Sequence, residues 1–307
     1  MSCKVVLPRD HDGRRLDRTI RSIWPALPLS AIMRALRKGE VRLDAARARE
    51  AGLRVRAGQE LYVPWEEPGV PARARDWGPV PILWRSPDVL MVNKPADLLV
   101  QPDVKGGDSV VARVWGMSGG GRPGFSPAAV HRLDRNTTGV LAVALSGEAL
   151  RELERLFRER LVSKRYLAVT VGKTPDRGTV DVPLLKDEET GLVRAGSGKT
   201  AKTRYERLAS GGGLSLVSAE LLTGRTHQAR VHLAHIGHPI LGDRKYGDIE
   251  TNRQWKSVKR PLLHAWKLGF PDGLSGALLE VSGRTFTAEP PEDMTRLMRE
   301  QGWELDD

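Results

Sequence analysis

Apolar positions recur along this chain in two periods, and each change of period marks a change of predicted element. Over residues 15–24, Leu16, Ile20, Ile23 and Trp24 share one face of a helix; over residues 30–38, Ile32, Met33 and Leu36 do the same. Ser30 is the predicted N-cap of the second helix and Gly39 its stop, with Pro25 and Pro28 between the two. From there the period falls to two. Val41 and Leu43, then Leu53, Val55, Leu61 and Val63 around Gly58, alternate with polar residues as short strands do. Residues 64–81 have no period and are rich in Pro, Gly and charge, which predicts an extended linker. The expected division is a small module over 9–63, the linker, and a larger domain over 82–301.

The larger domain opens with predicted strands at 82–84 and from residue 89 (VLMVNKP), a helix over 108–115 and a Gly-rich loop over 118–127. Residues 129–146, AVHRLDRNTTGVLAVALS, read as strand, polar turn, strand. The run VLAVAL is a strand buried on both faces or a short buried helix, and the turn residues Asn136 to Gly139 favour the strand. Ser146 is a predicted N-cap for a helix with Ala149, Leu150, Leu153, Leu156 and Phe157 on one face. Strands are predicted over 164–171 and 201–209, and Thr226 is expected to cap a helix running to about His235. Residues 266–270 and 277–281 are expected to be closing strands, and 291–301 a terminal helix.

Charge narrows the partner. Lys plus Arg number 49 against 38 Asp plus Glu, a net +11, which favours a phosphate-bearing partner over a merely solvated basic surface. Residues 9–56 alone hold 13 basic against 6 acidic side chains. Aromatic residues are 5%, too few for a surface built mainly on base stacking. The single Cys3 excludes an intramolecular disulfide and a Cys-based zinc site, and it fits a reducing, cytoplasmic compartment. The N-terminus carries no apolar signal segment, and no stretch approaches the ~20 apolar residues of a membrane span. Two patterns are decoys. Ser197 to Thr200 (SGKT) lacks the first glycine of a phosphate-binding loop, since Val193 stands there, and a strand-like stretch follows it. His232, His235 and His238 have helical spacing, but Gly237 and Pro239 break the helix, so no metal is expected.

Chemistry concentrates in four blocks. HRLDRNTTG holds Asp134 between Arg132 and Arg135, two guanidiniums that would favour a charged carboxylate. Asn93-Lys94-Pro95 ends a strand, Lys164 to Tyr166 opens another, and residues 224–247 read GRTHQARVHLAHIGHPILGDRKYG. Together with LLHA at 262–265 these closely resemble the motifs of the RluA-type pseudouridine synthases. Thr138 stands where that family usually has Ser, and Ala229 where it has Leu or Ile. The resemblance implies an α+β fold: a pseudouridine synthase domain with a large mixed, mostly antiparallel sheet flanked by helices. It implies that Asp134 is catalytic, that Arg230 pairs with it, and that Tyr166 packs on the target base. Leu263 would then wall the base, and Arg132 would fill the space a flipped base vacates. A bidentate guanidinium would both orient the aspartate and keep it ionised.

The module over 9–63 resembles a small S4-like RNA-binding domain, with Arg34, Arg37, Lys38 and Arg42 crowding the corner after its second helix. The resemblance therefore implies isomerisation of uridine in structured RNA, most like the RluC branch that acts on large-subunit ribosomal RNA, by a monomer and without a cofactor. A synthase acting on tRNA and a non-catalytic RNA-binding or ribosome-assembly protein are the alternatives. Asp134, Tyr166 and Arg230 together speak against the last.

Overall fold

The computed structural model describes residues 3–24, 27–65, 77–102, 107–118 and 125–305. The centre of the predicted linker (66–76), Pro25 and most of the Gly-rich stretch (119–124) lie outside these residues.

The first unit has its own core. Strand β1 (Cys3–Val6) is followed by helices α1 (Leu16–Ile23) and α2 (Leu29–Lys38), then β2 (Arg42–Leu43), β3 (Ala46–Arg47) and β4 (Glu60–Val63). The strands form an antiparallel sheet in the order β1-β4-β2-β3. Leu16, Ile20, Ile32, Leu36, Val41, Val55 and Leu61 are buried against one another beneath it. Helix α2 starts two residues earlier than its polar pattern suggests. Pro28, with φ −66° and ψ 143°, is its N-cap, and Ser30 lies within the first turn; the ring of proline presets the entry dihedral that a capping serine would otherwise select. Gly39 ends the helix in the left-handed region (φ 67°). Leu53 is 40% exposed although Val55 is buried, because Leu53 closes a turn on Glu50 and does not continue a strand.

The second unit is built on a large sheet. In chain order come β5 (Ile82–Arg85), β6 (Val89–Lys94), α3 (Val110–Met117), β7 (Ala128–Ala129), β8 (Thr138–Ala144), α4 (Gly147–Arg158), β9 (Ser163–Val171), β10 (Arg177–Asp181), β11 (Leu184–Lys186), β12 (Val193–Ala195), β13 (Lys202–Gly211), β14 (Leu214–Leu221), α5 (Gln228–His235), α6 (Ile249–Gln254), β15 (Leu263–Gly269), β16 (Thr285–Thr287) and α7 (Glu292–Glu300). The ten-stranded sheet runs β10-β13-β14-β9-β15-β8-β6-β5, with β7 added to β8 and β16 to β15. β11 and β12 form a separate hairpin. Within the large sheet β8 and β15 run parallel and the other pairings described are antiparallel.

Every residue of β8 is buried, which explains its unbroken apolar run. Leu141 and Val143 face a core shared with α3 and α5, while Val140, Ala142 and Ala144 face α4. A third cluster packs α7 under β9 through Leu167, Val169, Met294 and Leu297. Ser146 caps α4 by accepting from Ala149 N–H. The same helix end takes a second cap from the first unit: Oδ1 of Asp10 accepts from Gly147 N–H at 2.8 Å and from Glu148 N–H at 3.2 Å.

Two expected features change. Residues 277–281 are not a strand but part of a 3₁₀ turn, Gly276–Val281, in which Leu278 and Val281 are buried and Leu279 is exposed. The inward residues are three apart, the period of a 3₁₀ turn. The helix near residue 110 begins after Ser109, whose hydroxyl accepts from Ala112 N–H.

Candidate active site

The loop between β7 and β8 carries Asp134, and buried cations hold its backbone from behind. Lys94, fully buried at the end of β6, donates from Nζ to Pro95 O and Arg135 O, both at 2.8 Å. Burial, with Arg260 nearby, depresses the Lys94 ammonium to about 7. Arg260 grips Asp293 with Nε and Nη2 and donates from Nη1 to Asn136 O and Pro261 O. The loop thus enters β8 with two of its carbonyls pinned.

Two histidines pin the flanking strand. His131 Nε2 accepts from Ala142 N–H at 3.1 Å, and its ring stacks on Phe157; burial, with a contribution from Lys164, holds its pKa at about 3. His264 on β15 faces Ala288 O through Nε2 (2.8 Å) and Thr138 Oγ1 through Nδ1 (2.8 Å). The carbonyl can only accept, which assigns the proton to Nε2 and makes the Thr138 hydroxyl the donor to Nδ1. Threonine at 138 therefore keeps the one group this site uses. At Gly139, φ is 114°, and a Cβ would lie 2.1 Å from Ala265 O. Only glycine lets β8 and β15 approach there, and that approach brings Leu263 beside the Asp134 loop.

Around Asp134 the walls of a pocket are Arg132, Leu133, Thr137, Tyr166, Leu221, Arg225, His227, Gln228, Ala229, Arg230 and Leu263. Tyr166 lies on β9 between Ala219 and Ala265 of the neighbouring strands, small residues that leave room for its ring. Burial pushes its hydroxyl pKa up, and Asp134 adds to the effect; the ring stays neutral. Leu263 and Leu221 are buried beside it.

Arg230 projects from α5. Its Nη1 donates to Oδ2 of Asp134 at 3.1 Å, while Nε and Nη2 fork onto Asp243 at 2.6 and 2.8 Å. The bidentate partner is thus Asp243, and Asp134 receives a single bond. Asp243 is fully buried and also accepts from Lys245 N–H and Tyr246 N–H. Burial works to raise its carboxyl, but the Arg230 fork and the two N–H groups outweigh that and hold it below the ordinary value. Burial likewise opposes the Arg230 charge, and the two carboxylates overcome it. The Tyr246 ring covers the guanidinium, 5.1 Å from its centroid.

The flanking arginines do not do what their positions suggest. Arg135 turns to Asp97 (2.8 Å), and Arg132 stands exposed at the pocket rim. Thr226 does not cap α5 either; His227 occupies the N-cap with φ 54°. Sequence reasoning assigned no role to Asp243, His227 or Tyr246, although all three lie in the 224–247 block.

Arg34, Arg37 and Lys38 on α2 and Arg42 on β2 are all exposed on the first unit, separate from the pocket residues. His232 is buried, bonded to Thr203 Oγ1 and Val182 O, and His238 meets Val171 O. Among the described residues no group of three His, Cys, Asp or Glu is gathered as a metal site, and no helix is long and apolar enough to cross a membrane.

Comparison with known proteins gives a consistent picture. Residues 88–235 match the RNA pseudouridylate synthase family model. The chain is 33% identical to an uncharacterized RNA pseudouridine synthase of Chloroflexus aurantiacus, over 96% of this chain and 92% of that protein. It is 34% identical to ribosomal large subunit pseudouridine synthase C of Escherichia coli, over 90% and 91%. A D-type synthase of Zymomonas mobilis is 31% identical over 96% of each. Of solved structures, human RNA pseudouridylate synthase domain containing 4 superposes with a TM-score of 0.60 at 28% identity, over 74% of this chain and 95% of that one.

Proposed function

This chain belongs to the RluA-type RNA pseudouridine synthase family and isomerises uridine in RNA, and from that premise we propose that Asp134 is its catalytic aspartate and large-subunit ribosomal RNA its substrate. The reaction cleaves the N1–C1′ bond, turns the uracil and joins C5 to C1′. C5 loses a proton and N1 gains one, so nothing is oxidised and no group is transferred from outside. Uridine must leave its stack to enter the pocket, with Tyr166 against the base, Leu263 as its apolar wall and Arg132 in the vacated space. Asp134 acts on the sugar C1′, on the base, or on the C2′ proton; each route needs an ionised carboxylate held still.

The observation that carries the reading is Arg230, clamped on buried Asp243 and reaching Asp134 with its remaining nitrogen. A guanidinium so held orients the aspartate through one oxygen and leaves the other unoccupied by it. The substrate assignment rests on the C- and D-type relatives, both named for the large ribosomal subunit. We read the first unit as the S4-like domain of this enzyme. Its exposed Arg34, Arg37, Lys38 and Arg42 track phosphates, and the enzyme works as a cytoplasmic monomer.

The test is Asp134→Asn. Purified enzyme and variant are given a ribosomal RNA transcript tritiated at C5 of uridine. The variant releases no tritium while its RNA affinity stays within about tenfold, or ~1.4 kcal/mol. Substantial release by the variant refutes the assignment.

A further inference from the structure

His227 is held in a backbone conformation that side chains other than glycine seldom adopt, φ 54°, and such strain persists only where the surroundings impose it. What is held here is an imidazole between two polar groups. Its Nδ1 lies 2.8 Å from the Tyr246 hydroxyl, and its Nε2 lies 3.8 Å from Oδ2 of Asp134.

The tautomer follows from the far side of Tyr246. The hydroxyl oxygen accepts from Val193 N–H at 2.9 Å, so its own proton is what it offers the ring, and Nδ1 is the acceptor. Nε2 then carries the hydrogen. The opposite tautomer would set a bare nitrogen lone pair against a carboxylate oxygen. The doubly protonated ring is disfavoured as well. Burial lowers the imidazole pKa, and Arg230 and Lys245 push the same way against Asp134 and Asp243.

The Nε2–H is thus aimed at Oδ2, the oxygen that already accepts from Nη1 of Arg230. Oδ1 accepts from no described residue. We propose that His227 is a positioning residue for the isomerisation: held as the Nε2–H tautomer by the Val193–Tyr246 relay, it joins Arg230 in occupying Oδ2 of Asp134 and leaves Oδ1 as the oxygen that reacts. The inference rests on reading Asp134 as the catalytic aspartate. Hydrogen bonds to a carboxylate oxygen stabilise its charged form and reduce its appetite for a proton or a carbon. Two donors converging on one oxygen make the pair unequal before substrate arrives. At 3.8 Å the contact is longer than a formed hydrogen bond, as active-site contacts often are until substrate closes the site.

Two measurements test this. The first uses the full chain labelled with 15N at histidine, and long-range proton–nitrogen spectra near neutral pH. The His227 signals are those absent from the spectrum of His227→Gln. The expected pattern is a pyridine-type Nδ1 and a pyrrole-type Nε2, giving way to mixed tautomers in Tyr246→Phe. The opposite tautomer or a doubly protonated ring in the unsubstituted chain overturns the proposal. The second reads single-turnover tritium release from a ribosomal RNA transcript tritiated at C5 of uridine. His227→Ala is expected to slow it about ten- to a hundredfold, the range for one hydrogen bond to a charged group, with RNA affinity unchanged. His227→Gln, whose amide N–H can reach the same oxygen, recovers most of that loss. Equal losses in both variants, or none in His227→Ala, overturn the proposal. Activity in Asp134→Asn instead removes the premise and leaves the tautomer result standing, so the two failures are distinguishable.

Discussion

Replacing Arg230 with alanine removes three hydrogen bonds, and the structure says which of them matters for stability. Two serve Asp243, whose side chain is 0% exposed and keeps only the backbone N–H groups of Lys245 and Tyr246. The third serves Asp134, 24% exposed and held by one bond. Removing one partner of a buried ion pair costs about 3 to 5 kcal/mol, because the other charge is stranded. The share belonging to a partly solvated pair is about 1 kcal/mol or less. At roughly 2–4 °C per kcal/mol for a domain of 150–250 residues, Arg230→Ala should lower Tm by on the order of 10 °C. A second substitution separates the two carboxylates. Asp243→Asn in the Arg230→Ala background removes the stranded charge and recovers most of the loss, whereas Asp134→Asn recovers no more than about 1 kcal/mol. Urea midpoints of six proteins (the parent chain, the three single variants and the two double variants), followed by tryptophan fluorescence, give the coupling energies. The pH dependence has a definite sign. Without the guanidinium, burial raises the Asp243 carboxyl above its unfolded value. The penalty is then full at neutral pH and shrinks as pH falls through that raised value and the carboxyl takes up a proton. Equal recovery by the two second substitutions, or a penalty that grows on acidification, would refute the reasoning.

Two further outcomes can be checked independently. Thr138→Val keeps the shape of the side chain but leaves Nδ1 of buried His264 without its donor, at a cost of about 1 to 3 kcal/mol; Thr138→Ser should cost much less, and urea midpoints compare them. Replacing both Arg37 and Arg42 by alanine should flatten the fall of log K with log salt by about 0.7 to 0.9 for each phosphate no longer neutralised, as read by RNA binding at several salt concentrations, while an unchanged slope would mean that neither touches phosphate.

Much of the fold was legible because its periods were clean. Leu16, Ile20 and Ile23 of α1, Ala149, Leu153 and Leu156 of α4, and the run from Val140 to Ala144 in β8 are buried as expected, while Leu150 and Phe157 are only half-buried. The 3₁₀ turn at Gly276–Val281 was not legible, since ALLEV offers apolar residues to either period and only the packing of Leu278 and Val281 decides between them. Local chemistry misled at two helix starts. Pro28 and His227 occupy positions where Ser30 and Thr226 seemed the natural caps, and a left-handed histidine leaves no trace in a propensity scale. In the pocket, the resemblance to the family motifs singled out Asp134 and Arg230, which the fold brings within 3.1 Å. The fork of Arg230 onto Asp243 could not be read, because a guanidinium thirteen residues upstream has several acidic candidates in sequence and acquires a partner only through the turn after α5. For the same reason Arg132 and Arg135, two residues before and one after Asp134 in sequence, are not its charge partners in space.

The hydrogen at the α-carbon of Gly139 has a consequence for anyone who would redesign this pocket. Side chains around Asp134 can in principle be exchanged, because a missing methyl or hydroxyl can be compensated by a neighbour. At position 139 the constraint lies between two backbones, and a Cβ would meet the Ala265 carbonyl at 2.1 Å. The alphabet there has one letter. A library that randomises the β7–β8 hairpin would lose most of its members at that single codon, whatever the merits of the other substitutions. Holding residue 139 constant while varying Leu133, Thr137 and Leu263 around it would spend the same screening effort on folded proteins.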